Sequence, residues 1–240
     1  CTLARRQGEL TPYANCNLDH DLCSQKDLRA QVHCEERSRS TSFTFTAVER
    51  MLLPADLSCR QALYGIMLRD PLAAARSTMV ANMFTADEKL RMLDALRYGI
   101  RPRIMATETS PGHHACLPAW DSFQHLDNFA TRTLGGRYNA APGNVTRADL
   151  EAAKATLQRM DVVLIMEELP QQLPQLRQTL GWSIAPDSLP QANAHNTDST
   201  HQFFSEEEMQ FLKGVNTLDY ELYDFARQLA VERTAAASRR

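Results

Sequence analysis

The stretch from Tyr64 to Ser77 limits the possible folds of this chain more than any other segment. Tyr64-Gly-Ile-Met-Leu68 reads as a short buried strand, apolar except for the phenol at its start. Arg69-Asp70-Pro71 then breaks it. Asp70 suits a helix N-cap and Pro71 the first helical position, so the spacing predicts a helix from Pro71 to about Asn82. A strand that turns directly into a helix aims free backbone N–H groups and a positive dipole end at the space above the strand tip. Arg69 adds a planar cationic fork there, and Ser77, eight residues later, offers a hydroxyl to the same anion. The segment reads as a phosphate site. Its plain structural alternative is a capped turn carrying a surface Arg.

Strand and helix signals alternate through the rest of the chain. Ser42 to Thr46 alternates as an edge strand would, and Thr85-Ala-Asp-Glu88 is a capping box opening a helix that stops near Gly99. Trp120 to Leu134 reads as one helix with Trp120, Phe123 and Phe129 inward. Thr146-Arg-Ala-Asp149 caps another helix, which ends before a strand from Asp161 to Met166; a helix closing at Leu180-Gly-Trp182 follows. Ser205-Glu-Glu-Glu208 opens a final helix whose Leu218, Leu222, Phe225 and Leu229 share one face. Residues 101–118 and 183–204 read as loops. This pattern predicts an α/β fold, a central parallel sheet flanked by helices. Residues 1–42 read as a cysteine-bearing irregular segment with a short helical possibility at Gln25 to His33, residues 43–233 as the folded domain, and residues 234–240 as a disordered tail.

Composition narrows the function classes only a little. A chain of 240 residues with 43% apolar and 23% charged residues can bury one substantial core. Its net charge of −3 exerts no global pull toward nucleic acid or an anionic membrane. Of 26 basic residues four are lysines (Lys26, Lys89, Lys154 and Lys213); this Arg dominance suits recognition of sulfate or phosphate, and equally follows from a GC-rich genome. Six cysteines, Cys1, Cys16, Cys23, Cys34, Cys59 and Cys116, include no Cys-x2-Cys pair, which argues against zinc. Together with the glycosylation sequon Asn144-Val-Thr146 they point to an oxidising lumen, with up to three disulfides. No apolar run reaches the roughly 18 residues of a membrane span.

Four blocks then carry a family resemblance. Leu68-Arg-Asp-Pro-x4-Arg-Ser77 resembles the 3′-phosphate-binding motif of Golgi-type carbohydrate sulfotransferases. Leu126-Asp-Asn-Phe-Ala-Thr-Arg-Thr-Leu-Gly-Gly136 is similar to the Asn-Tyr/Phe-x-Thr-Arg-x-Leu-x-Gly segment of many of these enzymes. Asp161-Val-Val-Leu-Ile-Met-Glu167 with the helix after it matches a recurring strand–helix block, and Asn216-Thr-Leu-Asp-Tyr-Glu-Leu-Tyr-Asp-Phe-Ala226 resembles the family's closing helix. The blocks stand in the family's order and cover about residues 43 to 230. The resemblance implies a P-loop-NTPase-like sulfotransferase fold and transfer of a sulfuryl group from 3′-phosphoadenylyl sulfate to a carbohydrate hydroxyl. It also implies no metal, no nucleic-acid partner, and a place in the Golgi lumen as part of a single-pass membrane glycoprotein whose anchor would lie upstream.

Residue roles follow from that resemblance. Arg69 and Ser77 are expected to grip the 3′-phosphate. Arg132 is expected to face the nucleotide or an anionic sugar, its alternative being a helix C-terminal Arg before a Gly stop. Relatives use a His or Glu base ahead of the 3′-phosphate motif; His33 and Glu49 are the candidates here, and a plain surface position is the alternative for each. His113-His114, His195 and His201 read as loop histidines rather than metal ligands. The acceptor site is expected on loops 101–118 and 183–204.

One family element is missing from the sequence. Members carry a loop of the kind Pro-Lys-Thr-Gly-Thr-Thr for the 5′-phosphosulfate, in which Gly lets backbone approach the phosphate. Here no Gly stands between Gly8 and Gly65, and Lys26 is the sole Lys before residue 80. The fold is therefore expected to be N-terminally incomplete, with the donor loop upstream of residue 1. Two alternatives stand beside this: a catalytically inactive relative that binds glycans or partners, and an unrelated α/β protein in which Arg69, Ser77 and Arg132 do not converge on one cleft.

Overall fold

The computed structural model describes residues 2–10, 44–45, 52, 57, 61–81, 84–99, 119–189 and 203–239. Within these the fold is α/β, mostly helical, with a small parallel sheet flanked by helices. Strand β1, Gly65–Leu68, lies beside β2, Val162–Ile165, with Gly65 opposite Val162 and Leu68 opposite Ile165. The helices are α1 (Thr2–Arg6), α2 (Pro71–Ala81), α3 (Ala86–Tyr98), α4 (Phe129–Leu134), α5 (Arg147–Gln158), α6 (Leu169–Leu180), α7 (Glu206–Val215) and α8 (Thr217–Ser238). A 3-10 segment, Ala119–Leu126, precedes α4, and a 3-10 turn, Met166–Glu168, joins β2 to α6.

Strand β2 reads Val-Val-Leu-Ile because both its faces are buried. Val163 and Ile165 meet Leu150, Leu157, Leu222 and Ala226 of α5 and α8, whereas Val162 and Leu164 meet Leu173, Leu176, Trp182 and Ile184. The edge of β2 turned away from β1 is closed by side chains. Gln175 accepts from the Val163 N–H at 3.1 Å and donates to the Val163 carbonyl at 2.9 Å, and Gln172 accepts from the Ile165 N–H at 2.7 Å. Two buried glutamines of α6 thus stand in for a third strand and satisfy backbone groups that would otherwise be orphaned.

Helix starts follow the local chemistry. Thr85, Thr146 and Ser205 each complete a capping box with Glu88, Asp149 and Glu208. Gly99 and Gly181 close α3 and α6 with φ of 64° and 70°, a conformation that Gly adopts without strain.

Several expectations need correction. Strand β1 is half-exposed rather than buried: Ile66 and Leu68 pack on the core, while Met67 is 51% exposed. Thr44 and Phe45 are not in a strand; their N–H groups both donate to the Leu10 carbonyl, and Phe45 lies against Trp182. The segment 1–42 is not irregular at its start, because α1 puts Ala4 into the core beside Trp182, whose indole N–H donates to Glu9 at 2.8 Å. The single helix expected from Trp120 to Leu134 is broken at Asp127-Asn128, with Phe123 buried and Phe129 half-buried. Asn216 divides the last helical stretch in two, and α8 continues through the expected tail to Ser238. The Trp120 side chain, the helix possibility at Gln25 to His33 and the six cysteines lie outside the described residues.

Candidate anion site at the strand tips

Parallel pairing brings the carboxyl ends of β1 and β2 to the same edge, where open α/β sheets bind ligands. Arg69 and Asp70 follow β1; Met166 and Glu167 follow β2. Asp70 caps α2 as its sequence predicts. Its carboxylate accepts the Ala73 N–H at 2.9 Å, and its carbonyl accepts the Ala74 N–H at 2.8 Å. Pro71 has no N–H. The helix start thus offers fewer free N–H groups than expected, since Pro71 has none and that of Ala73 is taken by the Asp70 carboxylate.

Arg69 supplies the cation. Its side chain is 38% exposed, and its nearest carboxylate approach among the described residues is Nε to Glu167 Oε1 at 3.8 Å, beyond hydrogen-bond length. Glu167 is held from two other sides, since Oε1 accepts the Asp70 N–H at 3.1 Å and Oε2 accepts the Tyr223 hydroxyl at 3.0 Å. Burial, with the Glu167 carboxylate beside it, pushes the Tyr223 phenol up, so it stays a donor. Burial likewise pushes Tyr220 up to about 12, helped by Asp70. Ser77 is half-buried on α2, one turn past Ala73 on the same helix face. Arg76, half-buried, directs Nε and Nη2 to the Met209 sulfur at 3.3 and 3.1 Å.

Arg132 lies elsewhere, and its expected role facing a nucleotide is corrected. The side chain is 0% exposed and ion-paired to Asp127. All five N–H groups of its guanidinium are matched: Nε to the Asp127 carbonyl, Nη1 to the carbonyls of Tyr138 and Ala140, Nη2 to the Asp127 carboxylate and the Ala141 carbonyl. No donor is left for a ligand. The alternative, a helix-end Arg satisfying local carbonyls, is the one the geometry matches.

The second and fourth sequence blocks form one buried clasp. Asn128, at φ 50°, places its Oδ1 to accept the N–H groups of Leu218 and Asp219, both at 3.1 Å. Asp219 returns the bond, accepting from Thr131 at 2.7 Å and Ala130 at 2.9 Å. Each of α4 and α8 is thus capped by a residue of the other. Asn216 completes the clasp by accepting the Asn128 N–H at 2.7 Å and donating to the Leu126 carbonyl at 2.8 Å. Burial pushes the Asp219 carboxyl up against the opposing pull of those N–H bonds. Gly135 is required here, because a Cβ would stand 2.5 Å from the Asp149 carbonyl oxygen and 2.7 Å from that of Thr131.

Glu49 and His33, the candidate bases, lie outside the described residues, as do His113, His114, His195, His201 and most of the two acceptor loops. Among the described residues no cluster of His, Cys, Asp and Glu is suited to a metal ion, and no helix is long and apolar enough to cross a membrane. Asn144 of the sequon is exposed. Sequence reasoning missed Glu167, Tyr223 and Arg76. Glu167 had one legible signal, since the residues just past two parallel strands must share an edge. Comparison of the chain with protein-family models, curated proteins and solved structures gave no match.

Proposed function

We propose that this chain binds the 3′-phosphate end of 3′-phosphoadenylyl sulfate and belongs to a sulfotransferase that acts on a carbohydrate hydroxyl in the Golgi lumen. The observation that carries this reading is Arg69: a half-exposed guanidinium at the paired strand tips, without a direct hydrogen bond to a carboxylate among the described residues, followed by Ser77 on α2. An Arg so placed matches the planar array of phosphate oxygens, and the Ser77 hydroxyl would add a neutral donor. In the reaction the acceptor oxygen forms a bond to sulfur as the bond from sulfur to the nucleotide phosphate breaks. Positioning and charge stabilisation do most of the work, as in phosphoryl transfer. A base, His33 or Glu49, takes the acceptor proton, and Arg69 steadies the leaving adenosine 3′,5′-bisphosphate. The exposed Asn144 sequon supports passage through the secretory pathway.

A second reading is favoured by Arg132. Its complete engagement within the protein suits an unrelated α/β protein, in which the three named residues do not converge. Calorimetric titration with adenosine 3′,5′-bisphosphate separates the two. Saturable binding that falls several-fold, roughly three- to thirtyfold, in Arg69→Ala is expected for the sulfotransferase reading. Absence of binding, or equal affinity in the variant, overturns it. Binding without turnover of 3′-phosphoadenylyl sulfate in the presence of glycan acceptors would identify the inactive relative.

A further inference from the structure

The carboxylates of Glu167 and Glu168 are adjacent in sequence and differ in their partners. Glu168 is clamped by Arg227, whose Nε and Nη2 reach it at 2.8 and 2.5 Å. Among the described residues Glu167 has no such close cation. Its oxygens are fixed instead by the Asp70 N–H, part of the very turn that carries Arg69, and by the Tyr223 hydroxyl on α8. From that seat it approaches Arg69 through Nε, at 3.8 Å. A guanidinium has two usable edges, one shared by Nε and one Nη, the other by the two Nη groups. A carboxylate on the Nε side biases the fork by charge yet leaves the terminal edge for a ligand. A tighter, bidentate pair would have consumed the cation, as happens at Arg132.

We propose that Glu167, anchored by Tyr223, is a positioning residue that holds the Arg69 fork toward the phosphate of the nucleotide. This inference rests on the reading of Arg69 as the phosphate ligand. It goes beyond it by naming two residues, one on the second strand and one on the last helix, through which the site depends on the whole strand-tip assembly. Neither would contact the ligand. The single hydrogen bond of Tyr223 makes it the weaker of the two.

The test is a double-mutant cycle on the full chain, titrated with adenosine 3′,5′-bisphosphate. Glu167→Gln keeps the shape and an acceptor for the Asp70 N–H while removing the charge; Tyr223→Phe removes only the hydroxyl. Glu167→Gln is expected to weaken binding about three- to tenfold and Tyr223→Phe about twofold, and both losses should vanish in an Arg69→Ala background. The Nε–H resonance of Arg69 in labelled protein should shift in Glu167→Gln, which checks that the two side chains face each other in solution, while the dependence on Arg69 in the cycle is what a merely structural role would not produce. Tighter binding by Glu167→Gln would make it a competitor for Arg69 and overturn the proposal. So would a loss that persists in the Arg69→Ala background, while leaving Arg69 itself as the ligand. If Arg69→Ala binds as well as the parent, the functional reading fails first and this inference with it.

Discussion

Two arginines, each in one of the sequence blocks that carry the resemblance, have opposite fates in this molecule. Arg132 is enclosed and has spent every donor on Asp127 and on the loop from Tyr138 to Ala141. Arg69 is partly exposed at the strand tips, with its nearest carboxylate among the described residues beyond hydrogen-bond reach. The contrast teaches that an arginine's role is decided by the acceptors around it rather than by the motif that contains it. A fully matched guanidinium is a structural pin; one with unmatched donors is available to a ligand.

The sharpest way to break this comparison is to remove each cation and measure stability. Arg132→Met should destabilise the fold by about 3–5 kcal/mol in urea unfolding, since it strands the buried Asp127 carboxylate. A loss below about 1 kcal/mol would show that the clasp does not depend on its ion pair. Gly135→Ala should cost about 1–3 kcal/mol, because the added methyl meets two backbone carbonyl oxygens on facing segments. A pH-dependent effect comes from His125, which lies against Phe129 just ahead of the clasp and whose imidazole is pulled down from 6.5 to about 4 by burial. As pH falls through that window the unfolded chain gains a proton that the folded one refuses, so stability should fall from about pH 6.5 to 4 and be unaffected by this group above it. His125→Gln should flatten that part of the pH profile. The smallest stability change is expected for Arg69→Ala, within about 0.5 kcal/mol of the parent, beside its several-fold loss of bisphosphate affinity. Large destabilisation there would erase the distinction between the two arginines.

Local chemistry made much of the fold legible. The boxes at Thr85, Thr146 and Ser205 need only residues three apart, and all three helices start where the sequence places them. The breaks at Asn128 and Asn216 were not legible, because each depends on a partner about 90 residues away. The continuation of α8 past Thr234 was available in principle from its alanines, which favour helix. It is also tied down by Gln175, which donates to the Ala230 carbonyl and the Thr234 hydroxyl. At the candidate site, Arg69 and the Asp70 cap were readable from one short segment. Glu167 and Tyr223 were not, because their proximity comes from strand pairing and from the docking of α8.

The two glutamines on β2 also fix the direction in which the sheet can grow. With Gln172 and Gln175 occupying its backbone groups, β2 has a closed margin, and no strand can add there without evicting α6. Lateral extension is left to β1. Among the described residues β1 is an edge, so a strand that joins it there would make β1 an interior strand and lie nearer to Arg69 than to Gln175.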